Sequence, residues 1–183
     1  DGTCGPITLI DFESATVVPA FAEVRGTPGV LEGTLAYMAP EQTGRMKRLV
    51  DVLGHTPHRY IVSKGPQHTE YELADNMWGA EFLPQTSLIP LVDLIITHGG
   101  NNTTTESLHF GKPMVLLPLF WDQYDNAQRI DELGFGRRLR TYEFTGAELV
   151  GAVDGLLNDT GLRERMEAMG AAIRARQGKE KAA

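Results

Sequence analysis

The sequence predicts an α/β fold in which a parallel β-sheet carries helices on both of its faces. Short apolar runs rich in β-branched residues alternate with segments whose apolar residues recur at helical spacing, and glycine or proline marks most of the turns. Such alternation is typical of strands joined by crossover helices. With 183 residues and 42% hydrophobic content, the chain can bury a substantial core as one domain, or as one domain with an appendage.

The predicted elements follow one another regularly from residue 46 onward. We expect strands at residues 59–63, 81–83, 94–97, 114–117 and 136–139, and a polar connection over residues 67–78. A first helix should start near Met46 and end at Gly54. Further helices are expected over residues 87–92, 105–110, 122–133, 145–157 and 161–176. Thr145 and Glu148 have the spacing of a capping box.

A strand, a glycine turn and a helix start succeed one another between residues 94 and 106. The apolar run Leu94 to Ile96 ends at Thr97 to Gly100, after which a helix can open. The two glycines allow close approach of the backbone to a ligand, and Asn102 to Thr105 supply backbone N–H groups at the positive end of a helix dipole. Phosphate is the ligand that such a corner suits. Glu106, one turn into the helix, can accept hydrogen bonds from sugar or ribose hydroxyls.

A second turn brings polar groups to the same edge of the predicted sheet. The strand at residues 114–117 ends at Pro118, and the following turn leads to Asp122 and Gln123 at the start of a helix. Ligands of open α/β sheets bind outside the carboxyl ends of the strands. We therefore expect both turns to line one crevice.

The stretch from residue 82 to 126 resembles the donor-binding signature of the GT-B glycosyltransferases that use UDP- or TDP-sugars. The positions that match this signature are Pro84, Gln85, His98, Gly100, Asn102, Glu106, Gly111, Pro113, Pro118, Asp122, Gln123 and Asn126. So many matches at fixed spacing are far more specific than a lone glycine motif. The resemblance extends from about residue 46 to the C-terminal helices and implies a Rossmann-like sheet that forms one half of a GT-B fold.

The resemblance implies a role for each matching residue. His98 and the backbone near Asn102 and Thr103 would hold the diphosphate, Glu106 the ribose hydroxyls, and Asp122 with Gln123 the hydroxyls of the transferred sugar. Phe82 stands where the plant signature has a tryptophan that stacks on uracil, and Asn101 replaces a second tryptophan, which leaves the sugar open. The donor-binding set is Phe82, Gln85, His98, Gly100, Asn101, Asn102, Thr103, Glu106, Asp122 and Gln123.

Structural alternatives exist for several of these residues. His98 could serve only as a hydrogen-bonding group at a strand end, and Glu106 only as a partner of the helix dipole. Phe82 could equally be a core residue. For Trp121 we expect packing rather than stacking on a ligand. No catalytic base is assigned, because His55, His58, His68 and His109 fall in no motif.

The first 45 residues differ in character from the rest. Residues 9–13 and 33–41 resemble the activation segment of bacterial serine/threonine protein kinases, although Glu13 stands where that motif has glycine. The other parts of a kinase site do not precede this segment, so we expect no kinase activity. We divide the chain into a kinase-like fragment, 1–45, and a nucleotide-sugar-binding domain, 46–183, and interpret it as a fusion. Ile7 to Ile10 is a predicted strand, and we hypothesise that Leu35 to Met38 completes the sheet.

Composition and charge limit the kinds of ligand and partner that we expect this chain to bind. A net charge of -7 and a pI near 5.2 argue against nucleic-acid binding. Cys4 is the only cysteine, so neither an intrachain disulfide nor a cysteine metal cluster can form. We expect no metal site, no membrane span and a cytoplasmic location. The apolar stripes of the last two helices are expected to be partly exposed or used in self-association.

The function expected from the sequence is binding of the diphosphate of a UDP- or TDP-sugar, without a cofactor and without turnover by this chain alone. Three alternatives remain at this stage. The chain could be an active transferase when paired with another polypeptide, a stable fusion with no activity, or half of a sugar-nucleotide epimerase.

Overall fold

The computed structural model describes residues 6–11, 40–65 and 68–176. Within these ranges there are six strands: β1 (Ile7–Asp11), β2 (Arg59–Ser63), β3 (Met77–Ala80), β4 (Leu94–Thr97), β5 (Met114–Leu116) and β6 (Gly136–Arg138). The α-helices there are α1 (Pro40–Leu53), α2 (Gln85–Leu88), α3 (Asn101–Phe110), α4 (Asp122–Glu132), α5 (Gly146–Asn158) and α6 (Thr160–Ala175). A 3-10 turn, Ile89–Leu91, follows α2.

The six strands form one parallel sheet in the order β3-β2-β1-β4-β5-β6. The chain builds outward from β1 to β3 on one side and from β4 to β6 on the other. The direction of winding therefore reverses between β1 and β4, at the centre of the sheet. This reversal is the topological switch point of an open α/β fold, where a crevice forms outside the carboxyl ends of the two central strands.

Two apolar clusters cover the two faces of the sheet. Successive residues of a strand point to opposite faces, so Ile10 packs with α1 and α5 whereas its neighbour Leu9 packs with α3 and α4. β4 is buried along its whole length, as expected of a strand covered on both sides. The structure confirms the predicted fold class, an α/β Rossmann-like parallel sheet with helices on both faces.

Most predicted elements lie within one or two residues of the observed ones, but four differ. α3 begins at Asn101, four residues before the start expected at residue 105. The strand expected at residues 81–83 is wrong, because β3 lies earlier, at Met77–Ala80, inside the stretch predicted as a polar connection. The helix expected over residues 87–92 is instead α2 and its 3-10 turn, which begin at Gln85. α1 begins at Pro40 rather than near residue 46. Proline suits a first helical turn because its missing N–H would have no partner there.

The segment 1–45 supplies one of the two central strands of the sheet. This strand is β1, which pairs with β2 on one side and with β4 on the other. The hypothesised strand Leu35 to Met38 lies outside the described residues.

The last two helices pack within the chain. The capping box of α5 is confirmed, because Thr145 Oγ1 accepts from the Glu148 N–H and the Glu148 carboxylate accepts from the Thr145 N–H. Leu162 and Met166 of α6 are buried, and α6 lies against α3. Self-association through these helices stays a prediction. In the described parts of the chain, no helix combines the length and apolar character needed to cross a bilayer.

Candidate functional site

The candidate site is the crevice at the carboxyl ends of β1 and β4. The parallel register places Asp11, the last residue of β1, beside Thr97, the last residue of β4, and beside Ser63, the last residue of β2. His98 follows Thr97 directly. Residues from distant parts of the chain therefore meet at the switch point of the sheet.

The turn between β4 and α3 brings the start of α3 into this crevice. Gly99 has a φ of 86°, a conformation that side chains rarely adopt. A Cβ atom on Gly100 would lie 2.6 Å from His98 Nε2, so the tight packing of turn and ring requires glycine. Gly100 is also the N-cap of α3, and no side chain caps the helix. The structure thus shows the strand, glycine turn and helix start that the sequence predicts.

A chain of hydrogen bonds crosses the floor of the crevice. The Thr103 hydroxyl, in the first turn of α3, donates to Asp11 Oδ2 at 3.0 Å. Gln85 Nε2 donates to Thr103 Oγ1 at 2.9 Å and to Glu106 Oε2 at 3.1 Å. The Thr103 hydroxyl and the Gln85 amide are the donors to the two carboxyl groups at the ends of this chain. Gln85 therefore positions Glu106 and links α2 to α3.

His98 is a buried, neutral imidazole. Burial lowers the pKa of His98 from 6.5 to about 4, and a hydrogen bond to the Asp11 backbone carbonyl and the nearby Asp122 carboxylate oppose that effect only in part. At pH 7 any contact of this ring with a diphosphate would be a hydrogen bond rather than an ion pair. The influence of Asp122 on the pKa of His98 also places the two residues at the same edge of the sheet.

Glu106 lies partly buried beside the crevice. Burial raises the pKa of its carboxyl group above the usual value, and the hydrogen bond from Gln85 acts in the opposite direction. The carboxylate keeps acceptor capacity beyond its bond to Gln85, because an ionised carboxylate has about four lone-pair positions. Glu106 can thus accept a hydroxyl donor from a ligand.

The turn between β5 and α4 forms the second wall of the crevice. Gln123 is buried, and its Oε1 accepts from the backbone N–H groups of Leu119 and Phe120 at 2.9 and 3.3 Å. Asn126 Nδ2 donates to the Gly99 carbonyl and to Asn101 Oδ1, both at 2.9 Å. The two hydrogen bonds to Gln123 stabilise the turn between β5 and α4. The two hydrogen bonds from Asn126 join α4 to the glycine turn and to the start of α3.

Two exposed aromatic residues lie in loops that follow the carboxyl ends of strands β3 and β5. Trp121 is 85% exposed, so the expectation that it packs in the protein is wrong. Its φ of 47° is the single positive value among non-glycine residues that the structure describes. Phe82, in the loop between β3 and α2, is 53% exposed, which excludes the core-packing alternative for this residue. Both rings are accessible to solvent.

A family model described as UDP-glucoronosyl and UDP-glucosyl transferase matches residues 14–173. The chain belongs to this transferase family. Human UDP-glucuronosyltransferase 1A9 is 31% identical over 150 residues, which cover 80% of this chain and 28% of that protein. The chain thus spans little more than a quarter of the length of this transferase.

Solved structures share the fold. The glycotransferase of kitacinnamycin has a TM-score of 0.73 at 24% identity, covering 94% of this chain and 40% of its own. The spinosyn rhamnosyltransferase SpnG, in complex with thymidine diphosphate, has a TM-score of 0.68 at 20% identity, covering 93% of this chain and 42% of its own. At these identities the likeness establishes the fold, which is that of a glycosyltransferase domain.

Membership of the transferase family weakens the interpretation of residues 1–45 as a kinase-like fragment. The match to the family model begins at residue 14, inside that fragment, and the comparisons give the kinase resemblance no support. The division of the chain at residue 45 stays a prediction.

The transferase residues assigned from the sequence fall largely in one region. His98, Gly100, Thr103 and Glu106 surround the start of α3, with Gln85 bonded to two of them. Asn101 and Asn102 are exposed in the first turn of α3, and Asp122 is exposed at the start of α4. Their contacts with a donor stay predictions. Among the described residues, no three His, Cys, Asp or Glu side chains group as a metal site.

Sequence reasoning missed Asp11. This residue was assigned to the kinase-like motif, yet its side chain is 2% exposed and bonds to Thr103 in the crevice. A signal was present in the sequence, since Ile7 to Ile10 is an apolar run that ends in a polar residue, as the run before Thr97 and His98 does.

Proposed function

We propose that this chain binds the diphosphate of a UDP- or TDP-sugar in the crevice between β1 and β4, as the donor half of a glycosyltransferase. The observation that carries the proposal is the uncapped start of α3, which opens at the switch point of the sheet in a chain of the transferase family. Backbone N–H groups at such a helix start favour an anionic ligand.

The neighbouring side chains suit the rest of a donor. Glu106 is positioned by Gln85 to accept a ribose hydroxyl, and Asp122 is exposed where a sugar hydroxyl would lie. Phe82 offers an exposed ring face for a base. The SpnG structure with thymidine diphosphate supports this choice of ligand class.

Turnover is proposed to require a second half that supplies the acceptor site and the general base. The residues of this chain would contribute electrostatic stabilisation of the diphosphate leaving group. We therefore expect donor binding without transfer by these residues alone.

Isothermal titration with UDP, TDP, GDP and ATP tests the proposal. We expect heat from UDP or TDP with dissociation constants in the millimolar range, and weaker binding of GDP and ATP. Glu106→Ala should lower the affinity for UDP about tenfold or more, because the ribose hydroxyls lose a charged acceptor. Glu164→Ala, which removes an exposed carboxylate from α6, is the matched control and should bind as wild type does.

Two results would contradict the proposal. One is the absence of binding by all four nucleotides at millimolar concentration. The other is equal binding of UDP by the wild type and by Glu106→Ala.

A further inference from the structure

A small cleft lies at the amino ends of β4 and β5, on the opposite edge of the sheet from the crevice. Asp93 directly precedes β4, and Lys112 and Pro113 directly precede β5. The other wall comes from the end of α5 and the first turns of α6, where Arg163 and Glu167 lie one helical turn apart. The cleft has a volume of about 60 Å³, and none of the residues assigned to donor binding lines it. It is therefore a separate cavity of the chain.

Apolar side chains line part of this cleft. They are Phe110, Pro113, Leu156 and Leu157. Pro113 and Leu157 are buried, and the other two are half-buried. Apolar lining of this kind favours a hydrocarbon group over a strongly hydrated inorganic ion.

Two cationic side chains share the cleft without a carboxylate bound directly to either. Lys112 is half-buried, and its ammonium forms no ion pair or hydrogen bond with any residue that the structure describes. Arg163 Nη2 donates to the Leu157 carbonyl at 3.2 Å, which holds the guanidinium beside the cleft. Its other N–H groups have no acceptor within the described parts of the chain. Both cations thus have donors available to a ligand.

The charges around Lys112 favour a ligand with one negative charge. Burial lowers the pKa of the Lys112 ammonium, repulsion from Arg163 acts in the same direction, and the Asp93 and Glu167 carboxylates oppose both. An anion between the two cations would favour the charged form of Lys112. A second negative charge on the ligand would be repelled by Asp93 and Glu167, which are exposed beside the cleft.

The turn that carries Lys112 is held in place by its backbone. Gly111 ends α3 with a φ of 67°, and a Cβ atom there would lie 2.5 Å from the Met166 carbonyl oxygen of α6. The Lys112 N–H donates to the Ser107 carbonyl at 2.8 Å. A ligand would therefore meet a preformed wall, whose ordering costs no further free energy on binding.

We propose that this cleft binds a small monocarboxylate, with the carboxylate between Lys112 and Arg163 and a short hydrocarbon chain against the apolar lining. A guanidinium can hold a carboxylate through two parallel N–H bonds, and a lysine ammonium adds a compact positive charge. The site goes beyond the proposed function, because it lies at the other edge of the sheet and takes a different class of ligand.

Amide NMR of the labelled full chain, titrated with propionate at constant ionic strength, tests the proposal. We expect the backbone signals of Gly111, Lys112, Leu157 and Arg163 to shift first, with a dissociation constant in the millimolar range. Propionamide has nearly the same shape without the charge, so it should leave these signals in place. Inorganic phosphate should shift them less than propionate does.

Two variants test the role of the lysine charge. Lys112→Met keeps a flexible apolar side chain without the ammonium, and it should bind propionate about tenfold or more weakly than wild type. Lys47→Met removes an exposed lysine from α1 and is the matched control, which should bind as wild type does. Thermal melts of both variants check that the fold is retained. The response of residues 100–105 to UDP should be the same in Lys112→Met as in wild type.

Three results would overturn the inference. The first is the absence of shifts at the four cleft residues with propionate at tens of millimolar. The second is equal affinity of wild type and Lys112→Met for propionate. The third is a response to phosphate or propionamide as strong as that to propionate. The donor crevice is tested separately by UDP, so failure of the carboxylate site leaves the proposed function standing.

Discussion

The buried imidazole of His98 makes stability depend on pH. Burial keeps the ring in the neutral form, since it lowers the pKa of His98 from 6.5 to about 4. Above pH 6.5 the ring is neutral in both the folded and the unfolded chain. Between pH 6.5 and 4 the unfolded chain binds a proton that the folded chain does not, so the free energy of unfolding falls as the pH decreases.

His98→Gln should remove this dependence. Glutamine keeps an N–H donor for the Asp11 carbonyl but does not titrate. Relative to this variant, wild type should lose up to about 3 kcal/mol of stability between pH 7.5 and pH 4. Urea unfolding at several pH values measures the difference. Parallel curves for the two proteins would show that His98 is not buried in the neutral form.

Among the connecting turns, the one between β5 and α4 carries backbone strain. Trp121 has a φ of 47° and a ψ of -128° at the N-cap of α4, while its indole is largely exposed and touches Phe120 edge-on. A non-glycine residue in such a conformation costs about 1 to 3 kcal/mol. The strain sits next to Asp122 and Gln123, the residues assigned to the sugar.

Trp121→Gly should therefore stabilise the protein by about 1 kcal/mol, because glycine adopts a positive φ without steric cost. Trp121→Ala is the control, since it removes the indole and keeps the Cβ atom. Thermal or urea unfolding of both variants measures the effect. If alanine stabilised as much as glycine, the indole rather than the backbone would be the source of the strain.

Helices and strands that are marked by residues close together in the sequence were predictable. Strands that form only because they pair with a distant strand were not. Thr145 and Glu148 predict the start of α5 because both partners of the capping box lie within one turn. β3 has the sequence Met-Trp-Gly-Ala, which carries no β-branched residue. It is a strand because it pairs in parallel with β2, a contact that the local sequence does not encode.

The whole sheet is organised around β1, which comes from the segment assigned to a separate fragment. Ile10 is fully buried in the same cluster as Leu149 of α5, so β1 and α5 share one core. The strand was predicted, but its central position was not, because a strand's neighbours are set by the topology of the sheet. The hydrogen bond between Asp11 and Thr103 was likewise not predictable, because the two residues are 92 positions apart and only the sheet topology brings them together.

Ile10→Ala should destabilise the entire domain. We expect a loss of about 2 to 5 kcal/mol in the free energy of unfolding, as for other large-to-small substitutions in a core. Leu149→Ala should shift the same single transition by a similar amount. Circular dichroism and tryptophan fluorescence during urea unfolding should coincide. An Ile10→Ala variant as stable as wild type would place β1 outside the core.

The central claim is that the start of α3 receives a diphosphate, and amide NMR tests it most directly. Titration of the labelled chain with UDP or TDP should shift the backbone signals of residues 100–105 first and most strongly. Signals of α6 that lie away from α3 should stay in place. Shifts spread over the surface without a maximum at residues 100–105, or a maximum elsewhere on the sheet, would contradict the account.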